Sequence, residues 1–78
     1  MKAKTKQKQI EVGRIVLSDE QDLVASIVND EKLDIRVFMN TDSYTGPTKR
    51  GIRFYLFDDI WPEFKKLIEK VDKTYEEL

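Results

Sequence analysis

The sequence predicts an α+β fold in which a four-stranded antiparallel sheet is followed by one C-terminal helix, in the order β-β-β-β-α. Two observations support this. Apolar and polar residues alternate in short segments of the first 57 residues, which is typical of half-buried strands. From residue 60 onward, apolar residues recur every three or four positions, which is typical of an amphipathic helix. One helix is expected to cover one face of the sheet.

The chain of 78 residues is predicted to form one small domain over residues 10–78, preceded by a flexible basic arm over residues 1–9. The arm, MKAKTKQKQ, carries lysine at every second position and almost no apolar side chain, so burial cannot offset its ordering entropy. Two interpretations of the arm stay open: a solvated tail, and a basic extension of a phosphate-binding surface.

The first two strands are predicted within IEVGRIVL (10–17) and LVASIV (23–28), joined by the polar turn SDEQD. Gly13 can permit a bulge or bend in the first strand. The segment NDEK supplies the next turn, which gives a meander.

The third strand, LDIRVFMN, has the clearest period of two. One face carries Leu33, Ile35, Val37 and Met39, and the other carries Asp34, Arg36, Phe38 and Asn40. A long loop is predicted over 41–50, followed by a fourth strand over 51–57 in which Arg53, Tyr55 and Phe57 share a face. Gly51 is expected at a position where the backbone requires glycine, either for a positive φ or for the close approach of another chain.

The helix is predicted to begin after Asp58 or Asp59, either of which can cap it, with Pro62 in its first turn. Its aromatic residues Trp61 and Phe64 are expected in the core. The apolar stripe continues further than four short strands can cover, so we expect a homodimer in which a second copy covers the remainder. The residues concerned are Val71, Tyr75 and Leu78.

Composition excludes several functions. Without Cys or His, the chain lacks the usual zinc ligands and every Ser-His or Cys-His nucleophile arrangement. No spacing of its acidic residues singles out a catalytic pair, so no enzyme, metal or cofactor is expected. No apolar run is long enough to span a bilayer, and no signal peptide is recognised after the basic start, so an intracellular location is expected.

The charge is unevenly distributed although the net charge is -1. The segment 32–57 holds five cations against two anions, whereas 58–78 holds four against seven. A sheet face that the helix leaves open would carry cations next to aromatic rings, which is what single-stranded nucleic acid requires. The candidate residues are Lys32, Arg36, Phe38, Tyr44, Lys49, Arg50, Arg53 and Tyr55.

Alternatives remain for these residues. Arg36 can pair with Asp34 on its own face, and Phe38 and Tyr55 can pack as a cross-strand pair under a partner chain. Lys49 and Arg50 can act only to keep a strand end soluble.

The segments LDIR (33–36), followed by Phe38, and PTKRGI (47–52), with the C-terminal helix after them, resemble the transcriptional coactivator family typified by positive cofactor four. That resemblance implies a homodimeric single-stranded-DNA-binding domain with little sequence preference. It also implies phosphate contacts from Arg36, Lys49 and Arg50, and a stacking position at Phe38 or Met39.

The predicted function is therefore sequence-tolerant binding of single-stranded DNA in transcription regulation, replication or repair, with RNA as a further ligand and transcription or replication proteins as further partners. Three features differ from the family pattern: Met39 replaces an aromatic residue, the segment before Leu33 is acidic, and the connection between the fourth strand and the helix is longer. The acidic early segment, together with the acidic helix, motivates a second hypothesis, a dimeric protein-interaction module of the same fold.

Overall fold

The computed structural model describes residues 8–78, which form an open four-stranded antiparallel sheet followed by one helix. The elements are β1 (Gln9–Ser18), β2 (Gln21–Val28), β3 (Lys32–Asn40), β4 (Thr45–Tyr55) and α1 (Ile60–Glu76). The strands lie in the order β1-β2-β3-β4, so each pairs only with its neighbours in the chain. The predicted β-β-β-β-α order is confirmed.

The N-terminal end of the sheet lies slightly earlier than predicted. Most of the arm predicted over residues 1–9 lies outside the described residues, but Gln9 already belongs to β1. The Lys8 amide donates to Asn29 Oδ1 at 2.9 Å, and the Asn29 amide donates to the Lys8 carbonyl at 2.7 Å. These two bonds extend the β1–β2 pairing to Lys8.

The first two connections are tight turns. Asp19 and Glu20 join β1 to β2, and the turn after β2 places Asn29 and Asp30 at φ values of 55° and 61°. Positive φ at two successive residues is the geometry of a type I′ turn, which matches the twist of the strands. Asn and Asp adopt it more readily than most residues do, so the NDEK segment directs the chain back as predicted.

The third connection is shorter than predicted, and this corrects the loop expected over 41–50. Only residues 41–44 lie outside the strands, because β4 begins at Thr45 and includes Gly46 and Pro47. β4 is an edge strand, where proline is tolerated. Gly46 adopts a φ of 148°, and the β3–β4 register shifts between Arg36 and Phe38. These irregularities allow turn-type residues to occupy a strand.

The two faces of the sheet differ in chemistry. On the face that we call the helix-side face, Leu33 lies opposite Phe54 and Ile35 opposite Ile52. The opposite face, which we call the groove face, carries the alternate residues. Its members in the two central strands are Asp22, Val24, Ser26, Val28, Lys32, Asp34, Arg36 and Phe38.

Within residues 8–78, the most buried side chains lie on the groove face, even though no other element of this part of the chain covers it. Val24 and Val28 are almost completely buried. Val24 lies between Arg14 and Arg36 in the strand pairing, and Val28 lies between Gln9 and Lys32. The aliphatic parts of such long side chains can cover neighbouring apolar residues. The groove face therefore has its own apolar base beneath charged groups.

The helix does not cover the helix-side face, which corrects the predicted arrangement. It is attached at its start, where the Trp61 and Phe64 rings lie 6.3 Å and 5.5 Å from the Phe54 ring. Both helix aromatics are half-buried, so they contribute to the core only in part. From Lys65 onward every helix residue is exposed. The reason is that the helix leaves from edge strand β4 after four residues and extends beyond the sheet.

An apolar cleft of about 410 Å³ remains between the sheet and the start of the helix. It is lined by Val12, Ala25, Ile27, Leu33, Ile35, Leu56, Trp61 and Phe64. The radius of gyration is 15.5 Å, whereas a compact chain of this length would have about 11.5 Å. The single chain is therefore extended and leaves much apolar surface uncovered.

Candidate functional site

A large concave surface lies on the groove face and has a volume of about 690 Å³. We call it the groove. It crosses the central strands and reaches β4, and it combines apolar, cationic and aromatic side chains. Its lining consists of Gln9, Val24, Ser26, Asp34, Arg36, Phe38, Tyr44, Pro47, Thr48, Lys49 and Arg53. Five of the nine nucleic-acid-binding residues predicted from the sequence line this groove: Arg36, Phe38, Tyr44, Lys49 and Arg53. Lys32 lines an adjoining depression together with Arg53 and Tyr55.

A buried carboxylate holds two of the arginines at the base of the groove. Asp34 is 3% exposed and accepts hydrogen bonds from both Arg36 and Arg53. Arg36 donates from Nε at 3.0 Å and from Nη2 at 3.2 Å, and Arg53 donates from Nε at 2.9 Å and from Nη2 at 2.7 Å. The alternative in which Arg36 pairs with Asp34 therefore describes the observed geometry. The three groups together carry one positive charge.

The pKa of Asp34 reflects two opposing effects. Burial alone would raise the pKa of this carboxyl, but the hydrogen bonds and charges of Arg36 and Arg53 outweigh it and hold the pKa below its ordinary value of 3.8. Asp34 is consequently a carboxylate at neutral pH. It fixes the positions of both guanidinium groups.

Arg36 and Arg53 differ in the number of guanidinium N–H donors that make no hydrogen bond within residues 8–78. Arg36 also donates from Nη1 to the Thr48 carbonyl at 2.9 Å, and its side chain is 20% exposed. The Arg53 side chain is 39% exposed, and its Nη1 donates to no acceptor among residues 8–78. Because a guanidinium has five N–H donors, Arg53 offers more of them to a ligand than Arg36 does.

Gly51 provides the space that Arg36 needs. It lies opposite Arg36 in the β3–β4 pairing, and a Cβ atom at this position would lie 2.8 Å from Arg36 Cα and 3.1 Å from Arg36 Cβ. Gly51 does not have a positive φ. The backbone demand predicted here is therefore a close approach, but it comes from β3 of the same chain.

The cationic pair Lys49 and Arg50 lies on the exposed edge of the sheet. Neither side chain forms an ion pair within residues 8–78, and Lys49 lines the groove whereas Arg50 does not. Thr48 fixes the backbone beside them, because its hydroxyl donates to the Val37 carbonyl at 2.7 Å and accepts from the Arg50 amide at 3.2 Å. Lys49 is thus held at the groove with an unneutralised charge in the described part of the chain.

The aromatic residues fall into two groups on the groove face. Phe38 and Tyr44 line the groove at one end, where the Tyr44 hydroxyl donates to the Pro47 carbonyl. At the other end, the Tyr55 and Phe57 ring centroids are 4.9 Å apart, and Lys32 Nζ lies 5.3 Å from the Tyr55 centroid. Phe38 lies six positions after Lys32 on β3, which corresponds to about 20 Å along the strand.

Phe57 is the aromatic residue that the predicted site omitted. It is 76% exposed and lies beside Tyr55 just after β4. The alternation of Arg53, Tyr55 and Phe57 was the signal for it in the sequence. Phe57 therefore extends the aromatic surface beyond the end of the strand.

Met39 lies apart from the other predicted site residues. It follows Phe38 on β3, so its side chain projects from the helix-side face, where Gln21 Nε2 lies 3.6 Å from its sulfur. Side chains on opposite faces of a sheet cannot contact one ligand strand. Of the two stacking positions that the resemblance implied, only Phe38 lines the groove.

The predicted dimer residues lie on the projecting part of the helix. Val71 is 58% exposed, Tyr75 is 73% exposed and Leu78 is almost fully exposed. With Leu67 they line a shallow apolar depression along the helix. Nothing within residues 8–78 covers them.

No group of three acidic side chains within residues 8–78 lies close enough together to hold a metal ion. The helix of the described chain is neither long nor apolar enough to cross a membrane. Comparisons of the chain with protein-family models, curated proteins and solved structures gave no match.

Proposed function

We propose that this protein binds single-stranded DNA with little sequence preference, through the groove and the aromatic residues beside it, and that it acts in transcription regulation, replication or repair. RNA is a further ligand of the same chemistry. The observation that carries the proposal is the combination, on one sheet face, of Lys49 and Arg53 with the rings of Phe38 and Tyr55.

The chemistry of a single strand fits this combination. Its phosphates attract cations and release counterions when neutralised, and its unpaired bases stack on exposed rings, each contributing about 1 to 3 kcal/mol. The roughly 20 Å between Phe38 and Lys32 along β3 is long enough for several nucleotides. Backbone and ring contacts of this kind tolerate any base, so little sequence preference is expected.

Duplex DNA fits the protein less well. Reading a duplex generally requires a helix or a two-stranded ribbon in the major groove. The segment that contains α1 carries seven acidic residues against four lysines, so phosphates would repel it. We therefore expect a preference for single strands.

The proposal includes a homodimer formed through the helix. Trp61, Phe64, Ile68, Val71, Tyr75 and Leu78 follow a spacing of three and four residues along one side of α1. A regular alternation of three and four is the pattern of helices that pack on one another. A second copy would cover both this stripe and part of the apolar cleft, and in doing so would bring two grooves into one particle.

The direct test is a titration of fluorescent oligo-dT and of a matched duplex at two salt concentrations. We expect tighter binding of oligo-dT and a marked loss of affinity at the higher salt concentration. Equal weak affinity for both ligands, or an affinity that does not depend on salt, would refute the proposal.

A charge reversal localises the binding. We expect the double substitution Lys49→Glu and Arg50→Glu to abolish oligo-dT binding while the oligomeric state is unchanged. The matched control, Lys66→Glu with Lys73→Glu on the outer side of the helix, changes the net charge equally and should retain most of the binding.

A second candidate function is a dimeric protein-interaction module. The apolar cleft favours it, because Val12, Ile35 and Trp61 line a concave surface that another protein could fill. Under this alternative, the Lys49→Glu and Arg50→Glu protein would still capture its protein partner. Loss of oligo-dT binding with the dimer intact favours the first proposal.

A further inference from the structure

The groove has chemically different sides, and this difference bears on how a single strand would lie in it. On the side of β4, the cations Lys49 and Arg53 line the groove and Arg50 lies next to Lys49. Asp34 engages Arg53, whereas Lys49 and Arg50 form no ion pair within residues 8–78. The β4 side is therefore attractive to phosphate.

The side of β1 and β2 carries a cluster with the opposite net charge. Arg14 donates from Nε to Glu11 Oε2 at 2.9 Å and from Nη2 to Glu11 Oε1 at 2.8 Å. Its Nη1 donates to Asp22 Oδ2 at 2.9 Å. Two carboxylates thus surround one guanidinium, which leaves a net charge of one negative unit, so phosphate would be repelled here.

A bulge in β1 brings these residues together. Residues three apart in a regular strand point to opposite faces, which would separate Glu11 from Arg14. The β1–β2 register shifts between Glu11 and Gly13, so that Glu11 lies opposite Ser26 and Arg14 lies opposite Val24. Ser26 and Val24 share the groove face, and the bulge therefore places Glu11 and Arg14 on that face as well.

Arg14 of this cluster lies against the Phe38 ring. The Arg14 guanidinium carbon lies 5.4 Å from the centroid of Phe38, which is within the range of a cation–π contact. Phe38 and Val24 line the groove, whereas Arg14, Glu11 and Asp22 do not. Arg14 thus contacts Phe38 without occupying the space available to a ligand.

We propose that the groove binds a single strand in one orientation, with the sugar–phosphate chain along β4 and the bases directed toward Phe38 and Val24, and that Arg14 is a positioning residue that holds the Phe38 ring for stacking. This inference rests on the proposed function. Arg14 acts through Phe38, whereas Lys49 acts on phosphate directly. The two residues should therefore respond to different parts of the ligand.

The test compares oligo-dT with an oligonucleotide of the same length whose central residues are abasic. Both ligands carry the same phosphates, and only oligo-dT carries bases at the centre. Arg14→Ala should weaken oligo-dT binding by about threefold to tenfold and leave binding of the abasic ligand unchanged. Arg14→Lys, which keeps a cation near the ring, should restore part of the loss.

Lys49→Gln is the matched variant on the other side of the groove. It should weaken both ligands by the same factor and reduce the salt dependence, the slope of log K against log salt, by about 0.7 for the one phosphate contact removed. Arg14→Ala should leave that slope unchanged. A structural defect in the Arg14 variant would weaken both ligands together, so the comparison separates positioning from damage to the fold.

Several outcomes would overturn the inference. It fails if Arg14→Ala weakens both ligands equally or reduces the salt slope, because Arg14 would then contact phosphate. If the Arg14→Ala protein does not fold, the affinity of Phe38→Leu for both ligands is measured in the same way. An equal loss of affinity for the two ligands then refutes the placement of the bases against Phe38. Failure of the wild-type protein to bind oligo-dT overturns the proposed function as well. If the wild-type protein binds oligo-dT in a salt-dependent manner, but Lys49→Gln weakens only oligo-dT and Arg14→Ala weakens both ligands, the orientation alone is overturned.

Discussion

Substituting Asp34 by Asn should destabilise the protein, because the two arginines at the base of the groove depend on this one carboxylate. The Asp34 carboxylate accepts four hydrogen bonds, two from each guanidinium. Asn keeps the shape of the side chain but removes its charge, and it replaces one acceptor oxygen by an NH₂ donor that faces the cations. Oδ1 accepts one of the four bonds and Oδ2 accepts three, so between one and three of them should be lost, depending on which oxygen the NH₂ group replaces.

The magnitude follows from the burial of the three groups. Removing one partner of a fully buried ion pair costs about 3 to 5 kcal/mol. Here water reaches part of both guanidiniums, and Arg36 keeps its bond to the Thr48 carbonyl. We therefore expect Asp34→Asn to lower the free energy of unfolding by about 2 to 3 kcal/mol.

The assay is urea unfolding at neutral pH and one fixed protein concentration, since association would shift the apparent stability. Asp42→Asn is the control, because Asp42 is exposed and its side chain makes no hydrogen bond within residues 8–78. The control should change the free energy of unfolding by less than about 0.5 kcal/mol. An equally small effect of Asp34→Asn would refute the reasoning.

Three further predictions concern pH, backbone space and association. The pKa of Asp34 is lowered in the folded protein, so the carboxylate contributes to stability above pH 3.8, and this contribution is lost as the pH falls through the folded-state pKa. The difference in unfolding free energy between wild type and Asp34→Asn should therefore shrink below pH 3.8 when unfolding is measured across an acid titration. Gly51→Ala should lower the free energy of unfolding in urea by about 1 to 3 kcal/mol. Gly13→Ala is the control, because a Cβ atom added at Gly13 would have no atom within 4 Å, and it should change the free energy of unfolding by less than about 1 kcal/mol. Equal effects of the two substitutions would contradict the close approach of β3 to Gly51. Val71→Gln should weaken the proposed dimer by about 100-fold or more, since each chain would lose the burial of one valine, and Lys73→Gln should not; a wild-type monomer by light scattering at tens of micromolar would refute the dimer itself.

The alternation of residues was sufficient to predict which side chains share the groove face. In β3 and β4, Arg36, Phe38, Arg53 and Tyr55 lie on one face in the structure, as their spacing predicted. The period of two is a local property of the backbone, so it can be read from the sequence without knowledge of the rest of the fold.

Features that depend on contacts between distant residues were not predictable in this way. The loop expected over 41–50 is mostly strand, because its pairing with β3 and its position at the sheet edge outweigh the turn preference of Gly46 and Pro47. The direction of the helix depends on how Trp61 and Phe64 pack on Phe54, which the apolar stripe alone does not specify.

The charge of the site was also only partly predictable. Counting cations suggested a strongly basic face, but Asp34 neutralises half of the charge of Arg36 and Arg53 taken together. Arg14 was not among the predicted site residues, because only the bulge in β1 brings it onto the groove face. Its position depends on a register shift that the presence of Gly13 permitted but did not require.

The order of the strands has a consequence for how the chain folds. Each strand pairs only with its neighbour in the sequence, through connections of two, three and four residues. Such local pairings close small loops and favour fast folding, with hairpins forming in about 1 to 10 μs. The helix adds few contacts within its own chain, so the sheet can form before the helix is covered. Refolding followed by the fluorescence of Trp61 should then show a fast phase that is independent of protein concentration, followed by a slower phase whose rate increases with concentration.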